Sequence, residues 1–181
     1  MLTLTPCAKQ DIPLFKQLYL TAFPDEERAP WFLLKRRAFQ HRADALIARD
    51  GGKFAGIAYV VTLGDMAYLF YLAVADDQRG HGTGGRIISA LREHYPDKRI
   101  FLAREQLDPA AENFKQRESR RRFYLRNGFE DWDCTVKEGP VTYDVMGMGK
   151  KVTPQEYEAL IKSWAGKFAS LFFRAHLTEN K

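Results

Sequence analysis

Residues 78–88 read Gln78-Arg79-Gly80-His81-Gly82-Thr83-Gly84-Gly85-Arg86-Ile87-Ile88, and their reading decides the fold. Glycine fills four of the six positions from Gly80 to Gly85, and arginines flank the run. Backbone N–H groups can turn inward there without Cβ obstruction, which suits an anion. Two loops fit. Gly80, Gly82 and Gly85 match G-x-G-x-x-G, the dinucleotide fingerprint. Arg79, Gly82 and Gly84 match R/Q-x-x-G-x-G/A, a loop that cradles the diphosphate of coenzyme A. The first implies hydride transfer, the second acyl transfer.

The flanking elements separate the two. Asp50-Gly51-Gly52 is a hairpin signal between strands at Ala45–Arg49 and Phe54–Val61. Gly64-Asp65 then turns the chain into a third apolar run, Met66–Ala75. The loop therefore ends an antiparallel meander, whereas a dinucleotide fold needs a βαβ array. Asp76-Asp77-Gln78-Arg79 also intervene where the first glycine should follow the strand directly. In favour of the fingerprint, a helix follows and Glu105 ends the next strand. The coenzyme A loop meets no conflict. The helix behind it adds a favourable dipole of up to about 1–2 kcal/mol per anionic group.

Working outward, Leu2–Thr5 alternates as a strand, and Asp11 with Pro13 opens a helix with Leu14, Phe15, Leu18 and Phe23 on its apolar face. Phe23–Arg28 breaks that helix, and a second runs from Pro30 to His41. The glycine run leads into a helix at Gly84–Tyr95, then a strand at Ile100–Ala103. Asn113 begins a helix that stops at Asn127-Gly128, and strands follow at Asp131–Lys137 and Val141–Met148. Thr153-Pro154-Gln155-Glu156 is a capping box. It opens a helix with Tyr157, Leu160, Ile161, Trp164, Phe168, Leu171 and Phe172 on one face. The expected organisation is one α/β domain over 1–150 and a C-terminal amphipathic helix over 151–181, packed on the domain or at an interface.

The 181 residues are 45% hydrophobic and 13% aromatic, enough for a core. The longest apolar runs are too short to span a bilayer, and MLTLTPCAKQDI lacks the pattern of a signal peptide. Cys7 and Cys134 give neither metal spacing nor a disulfide framework, so a cytoplasmic protein without metal is expected. The net charge is +5, and Lys115–Arg126 holds six basic residues against Glu118 alone. A solvated helix face, a phosphorylated cofactor or nucleic acid could each account for that run.

The stretch YLFYLAVADDQRGHGTGGRII (68–88) followed by RRFYLRNGF (121–129) resembles the GNAT superfamily of N-acetyltransferases. Phe23-Pro24-Asp25-Glu26-Glu27-Arg28 is similar to a Phe-Pro-x-x-Glu-Arg stretch of a bacterial subgroup. The resemblance implies a mostly antiparallel twisted sheet of about seven strands, splayed between strands 4 and 5, with helices on both faces. It implies acetyl-CoA as cosubstrate, with thioester and pantetheine held by the backbone of Leu72, Ala73 and Val74. The diphosphate would lie on Arg79, Gly80, His81, Gly82, Thr83, Gly84 and Gly85. Tyr124 matches the family's general acid for the leaving thiolate. Asn113 stands where the family often has a cofactor-contacting Asn, with Arg117 or Arg120 as alternative phosphate contacts. For the amine, Glu105 and Glu27 (with Glu26) are candidates as base or as ammonium contacts. An alkylammonium of pKa about 10.4 costs about 4 kcal/mol to deprotonate near neutrality, whereas an α-amino group near 8 costs under about 1 kcal/mol. The expected partners are small-molecule or peptide amines, with no nucleic acid and no membrane, in a monomer or homodimer. Direct attack in a ternary complex is expected, since neither cysteine sits where a nucleophile would. Acyl transfer from another acyl-CoA and a non-catalytic coenzyme A sensor with a nucleic-acid-facing basic helix are the alternatives.

Overall fold

The computed structural model describes residues 1–138, 141–169 and 175–179. Strands β1 (Leu2–Pro6), β2 (Asp44–Asp50), β3 (Lys53–Leu63), β4 (Met66–Val74), β5 (Arg99–Glu105), β6 (Glu130–Glu138), β7 (Val141–Gly147) and β8 (Ala175–Glu179) form one sheet in the order β1-β2-β3-β4-β5-β7-β6-β8. Helices are α1 (Ile12–Ala22), α2 (Trp31–Phe39), α3 (Thr83–His94), α4 (Phe114–Arg126) and α5 (Pro154–Ala169). This is the mixed α/β architecture expected, with eight strands where about seven were anticipated. The added strand is β8, antiparallel to β6 from Cys134–Glu179 to Glu138–Ala175, in the segment expected to be helical to its end. Leu171 and Phe172 lie outside the described residues.

The chain forms two compact units. The first holds residues 1–62 and 69–96. Here β1 pairs antiparallel with β2, and β2 with β3 through a turn in which Gly51 and Gly52 have φ of 56° and 84°. Positive φ at both central residues is what a two-residue hairpin demands and what glycine supplies. Phe15, Leu18 and Tyr19 of α1 are buried, but Leu14 stays 40% exposed, so the apolar stripe is rotated from the expected one. Asp11 stands at the N-cap of α1 but does not cap it. Its buried carboxylate instead accepts from Arg49 Nη2 at 2.7 Å.

The second unit holds residues 63–68 and 97–181. The start of β4 pairs with β5 in parallel over three residues, Met66–Arg99 to Tyr68–Phe101. From Phe101 to Glu105, β5 pairs antiparallel with β7. Tyr68, Phe101 and Trp132 stack at 4.8 Å and 5.8 Å, and Tyr157 of α5 packs edge-on against Tyr68 at 5.8 Å. The capping box is formed: Thr153 N donates to Glu156 Oε2 at 2.8 Å, and Glu156 N donates to Thr153 Oγ1 at 3.2 Å. Tyr157, Leu160, Ile161 and Trp164 are buried as the periodicity requires.

Candidate active site

In the first unit, β4 ends at Val74 and a single turn at Asp76–Gln78 leads to Arg79. Gly80 and Gly82 take φ of 79° and 71°, and Gly82 is the left-handed N-cap of α3. A Cβ on either glycine would meet nothing within 4 Å. No side chain caps the helix. The first N–H groups of a helix have no partner inside it, so those of α3 face an open, glycine-lined space with the positive end of the dipole behind them. That geometry suits an anion. Arg79, exposed at the loop's first position, pairs with Asp76 at 2.8 Å and donates from Nε to the Val74 carbonyl oxygen at 3.3 Å. Thr83 is buried and its Oγ1 accepts from Arg86 at 3.1 Å, while Arg86 also pairs with Asp50. His81 is exposed, while Gly84 and Gly85 are half-buried.

Along β4, Tyr71 and Ala73 are buried, as is Ala75 just beyond it, but Leu72 and Val74 are half-buried. Beyond Tyr68 no β4 residue has a β5 partner among the described residues. Gly56 of β3 explains how close the layers approach. A Cβ there would strike the Ala73 carbonyl oxygen and come within 2.9 Å of Ile87 Cδ1.

Sequence reasoning missed Tyr71. Its hydroxyl donates to the Glu27 carbonyl oxygen at 3.0 Å and accepts from Ala29 N at 2.9 Å. Tyr19 adds a bond to the Ala29 carbonyl oxygen at 2.8 Å and an edge contact with the Tyr71 ring at 4.9 Å. The α1–α2 connection, with half-buried Glu27, is thereby latched to β4. A tyrosine inside a strongly apolar strand was the available signal, because a buried hydroxyl needs partners.

In the second unit, Tyr124 is 9% exposed and its ring packs on Phe123 and Phe129 at 5.1 Å and 5.3 Å. Among the described residues its hydroxyl has no hydrogen-bond partner, and burial pushes its pKa up to about 12. Glu105 ends β5 with both oxygens engaged. Oε1 takes Arg117 at 2.8 Å and Asn113 Nδ2 at 3.2 Å, and Oε2 takes Arg120 at 3.1 Å. Asn113, Arg117 and Arg120 are thus committed to a carboxylate. Arg121 pairs with Asp131 at 2.6 Å and Arg122 with Glu118 at 3.3 Å. The basic run of α4 is largely neutralised within its own unit.

No group of three or more His, Cys, Asp or Glu able to hold a metal occurs among the described residues. No described helix is long and apolar enough to cross a membrane. Burial first, then the charge of Asp11, raise the Cys7 thiol to about 11, so it is protonated at neutral pH.

Residues 41–131, just over half of the chain, match the family model described as the acetyltransferase (GNAT) domain. The chain belongs to the GNAT acetyltransferase family. The dinucleotide reading of the glycine run is thereby set aside. Solved GNAT structures share the fold. A GNAT-family acetyltransferase of Bacteroides thetaiotaomicron is 22% identical, with a TM-score of 0.70 over 86% of this chain and 92% of that one. A GNAT-family acetyltransferase of Elizabethkingia anophelis, solved with acetyl-CoA bound, is 12% identical, with a TM-score of 0.59 over 82% and 98%. Arabidopsis thaliana Naa50, in complex with the bisubstrate analogue CoA-Ac-MVNAL, is 16% identical, with a TM-score of 0.59 over 82% and 99%. No curated protein sequence matches the chain.

Proposed function

We propose that this GNAT protein is an acetyl-CoA-dependent N-acetyltransferase acting on a primary amine by direct attack. The observation that carries the proposal is the open cradle of Gly80 and Gly82 at the N-terminus of α3. A diphosphate fits it, because the space a Cβ would take is empty and the helix N–H groups are unclaimed. Arg79 contributes a cation, and Thr83, Gly84 and Gly85 contribute N–H groups.

Acetyl-CoA supplies the activated acetyl group as a thioester. The backbone of Leu72–Val74, on the β4 edge without a β5 partner, holds pantetheine and offers an N–H to the oxygen on which charge develops. One such donor contributes about 3–4 kcal/mol to a transition state. Tyr124, raised to about 12 by burial, keeps its proton and donates a hydrogen bond to the departing thiolate, whose free pKa of about 8.5 lets it leave as the anion. Glu105, engaged by three donors, suits holding α4 to β5 better than accepting a proton. Glu27, on the segment latched by Tyr71, is the carboxylate assigned to the incoming ammonium. The protonated Cys7 thiol agrees with a route that has no acetyl-enzyme.

The experiment follows thiol release from acetyl-CoA across a panel of alkylamines, aminoglycosides and peptide N-termini, with the product identified by mass. An N-acetylated product supports the proposal. Acetyl-CoA binding with no amine ever consumed would leave a coenzyme A sensor, and turnover with longer acyl-CoA alone would change the donor.

A further inference from the structure

A cavity of about 650 Å³ opens in the first unit against α2, the end of β1 and the start of β2. That volume lies within the range of small-molecule sites. Its position separates it from the glycine loop. Arg86 of α3 is held at Asp50, the last residue of β2, whereas the cavity touches Asp44–Leu46 at the strand's start. Six strand steps of about 3.3 Å put the two ends of β2 about 20 Å apart.

The interior is apolar, with Phe15, Trp31, Leu34, Leu46 and Tyr59 on its walls. The Tyr59 hydroxyl donates to the Leu34 carbonyl oxygen at 3.0 Å, so its polar atom is satisfied within the protein. The Phe32 and Phe39 rings also line it and are 70% and 83% exposed. The charged lining is mostly cationic. Lys9, Lys35 and Arg36 are exposed, and none forms an ion pair among the described residues. The one lining carboxylate, Asp44, accepts from the Tyr95 hydroxyl at 2.7 Å. On α4, by contrast, Arg117, Arg120, Arg121 and Arg122 each have a carboxylate. Cations left unmatched around an apolar cavity complement a molecule with an apolar body and an anionic end. The protonated Cys7 thiol on the same wall offers no competing charge.

We propose that this cavity binds a free medium-chain monocarboxylate, its tail among Phe15, Trp31 and Leu46 and its carboxylate met by Lys9, Lys35 and Arg36. The site is separate from that of acetyl-CoA and does not depend on the acceptor. Calorimetric titration with monomeric hexanoate, octanoate and decanoate tests it, with decanol as the uncharged comparator. One decanoate should bind per chain, and affinity should rise about fourfold per methylene, the equivalent of about 0.8 kcal/mol. Lys35→Glu combined with Arg36→Glu should weaken decanoate at least about tenfold, roughly 1.4 kcal/mol, and leave decanol binding and far-ultraviolet circular dichroism unchanged. Lys9→Glu repeats the charge test on another element, and Ala38→Trp should block both ligands by filling the space. Saturating decanoate should leave acetyl-CoA affinity unchanged. Four results overturn the proposal: no saturable binding, equal affinity for decanol, displacement of decanoate by acetyl-CoA, or capture by phosphatidylglycerol vesicles without binding of monomeric decanoate.

Discussion

Replacing Gly82 with alanine separates the cost of backbone strain from the loss of a ligand contact. Gly82 has φ of 71°, and its Cβ would meet nothing in the protein. Strain alone should therefore destabilise the fold, by about 1–2 kcal/mol. For a chain of this size that lowers the thermal midpoint by about 2–8 °C. Gly64, in the β3–β4 turn, has φ of 56° and equally open surroundings. Gly64→Ala should lower the midpoint by a similar amount, which makes it the control. Acetyl-CoA affinity should divide the two. Displacing one charge-assisted N–H bond to the diphosphate costs about 1.5–3 kcal/mol, so the dissociation constant of Gly82→Ala should rise about 13- to 160-fold. Gly64→Ala should bind as the parent does. Calorimetry below both midpoints measures affinity, and differential scanning fluorimetry measures stability. Equal affinity for the two variants, at matched loss of stability, would refute the assignment of the diphosphate to this loop.

Tyr124→Phe should lower turnover by about 10²- to 10⁴-fold with acetyl-CoA affinity unchanged, and an equal loss of both would make the residue structural. Burial raises Tyr19 and Tyr124 from 10.0 to about 12, so their contribution to stability is complete below pH 10 and lost as pH climbs toward 12. Chemical denaturation across that range, compared with Tyr124→Phe, reads the share due to Tyr124. Tyr71→Phe leaves the Ala29 N–H without its partner, so it should cost about 1–3 kcal/mol and raise KM for the amine. An unchanged KM would disconnect the latch from the acceptor. Arg99 chiefly, then Thr153, hold Glu156 at about 2 against an ordinary 4.5. That stabilisation is present above pH 4.5 and disappears as pH falls toward 2, and Glu156→Gln should flatten this acid limb. Gly147→Ala drives a methyl into the buried Trp132 indole and should cost about 1–3 kcal/mol by urea denaturation.

Several local features could be read directly. Gly82 is left-handed at a helix start, a conformation that glycine adopts without steric cost, and that shows in the residue type. The Thr153–Glu156 box and the Gly51-Gly52 turn were legible for the same reason. The basic run of α4 was legible only as a sum of charge. Its partners, Glu105 and Asp131, come from β5 and β6, and nothing near Arg117 or Arg121 in the chain announces them. Asp11 shows the opposite failure. It has the residue type of a cap, but Arg49, from a strand 38 residues on, takes its carboxylate. A buried carboxylate gains more from a guanidinium than from one helix N–H.

By itself, then, the sequence determined the turns, the helix starts, the left-handed glycine loop and the family, all set by residues within a few positions of one another. The tertiary structure decided the β5-β7-β6-β8 order, the latch of Tyr71 on Glu27 and Ala29, and which cations keep a carboxylate. Those depend on distant segments becoming neighbours under burial, where a polar or charged group must find a partner whatever its distance along the chain.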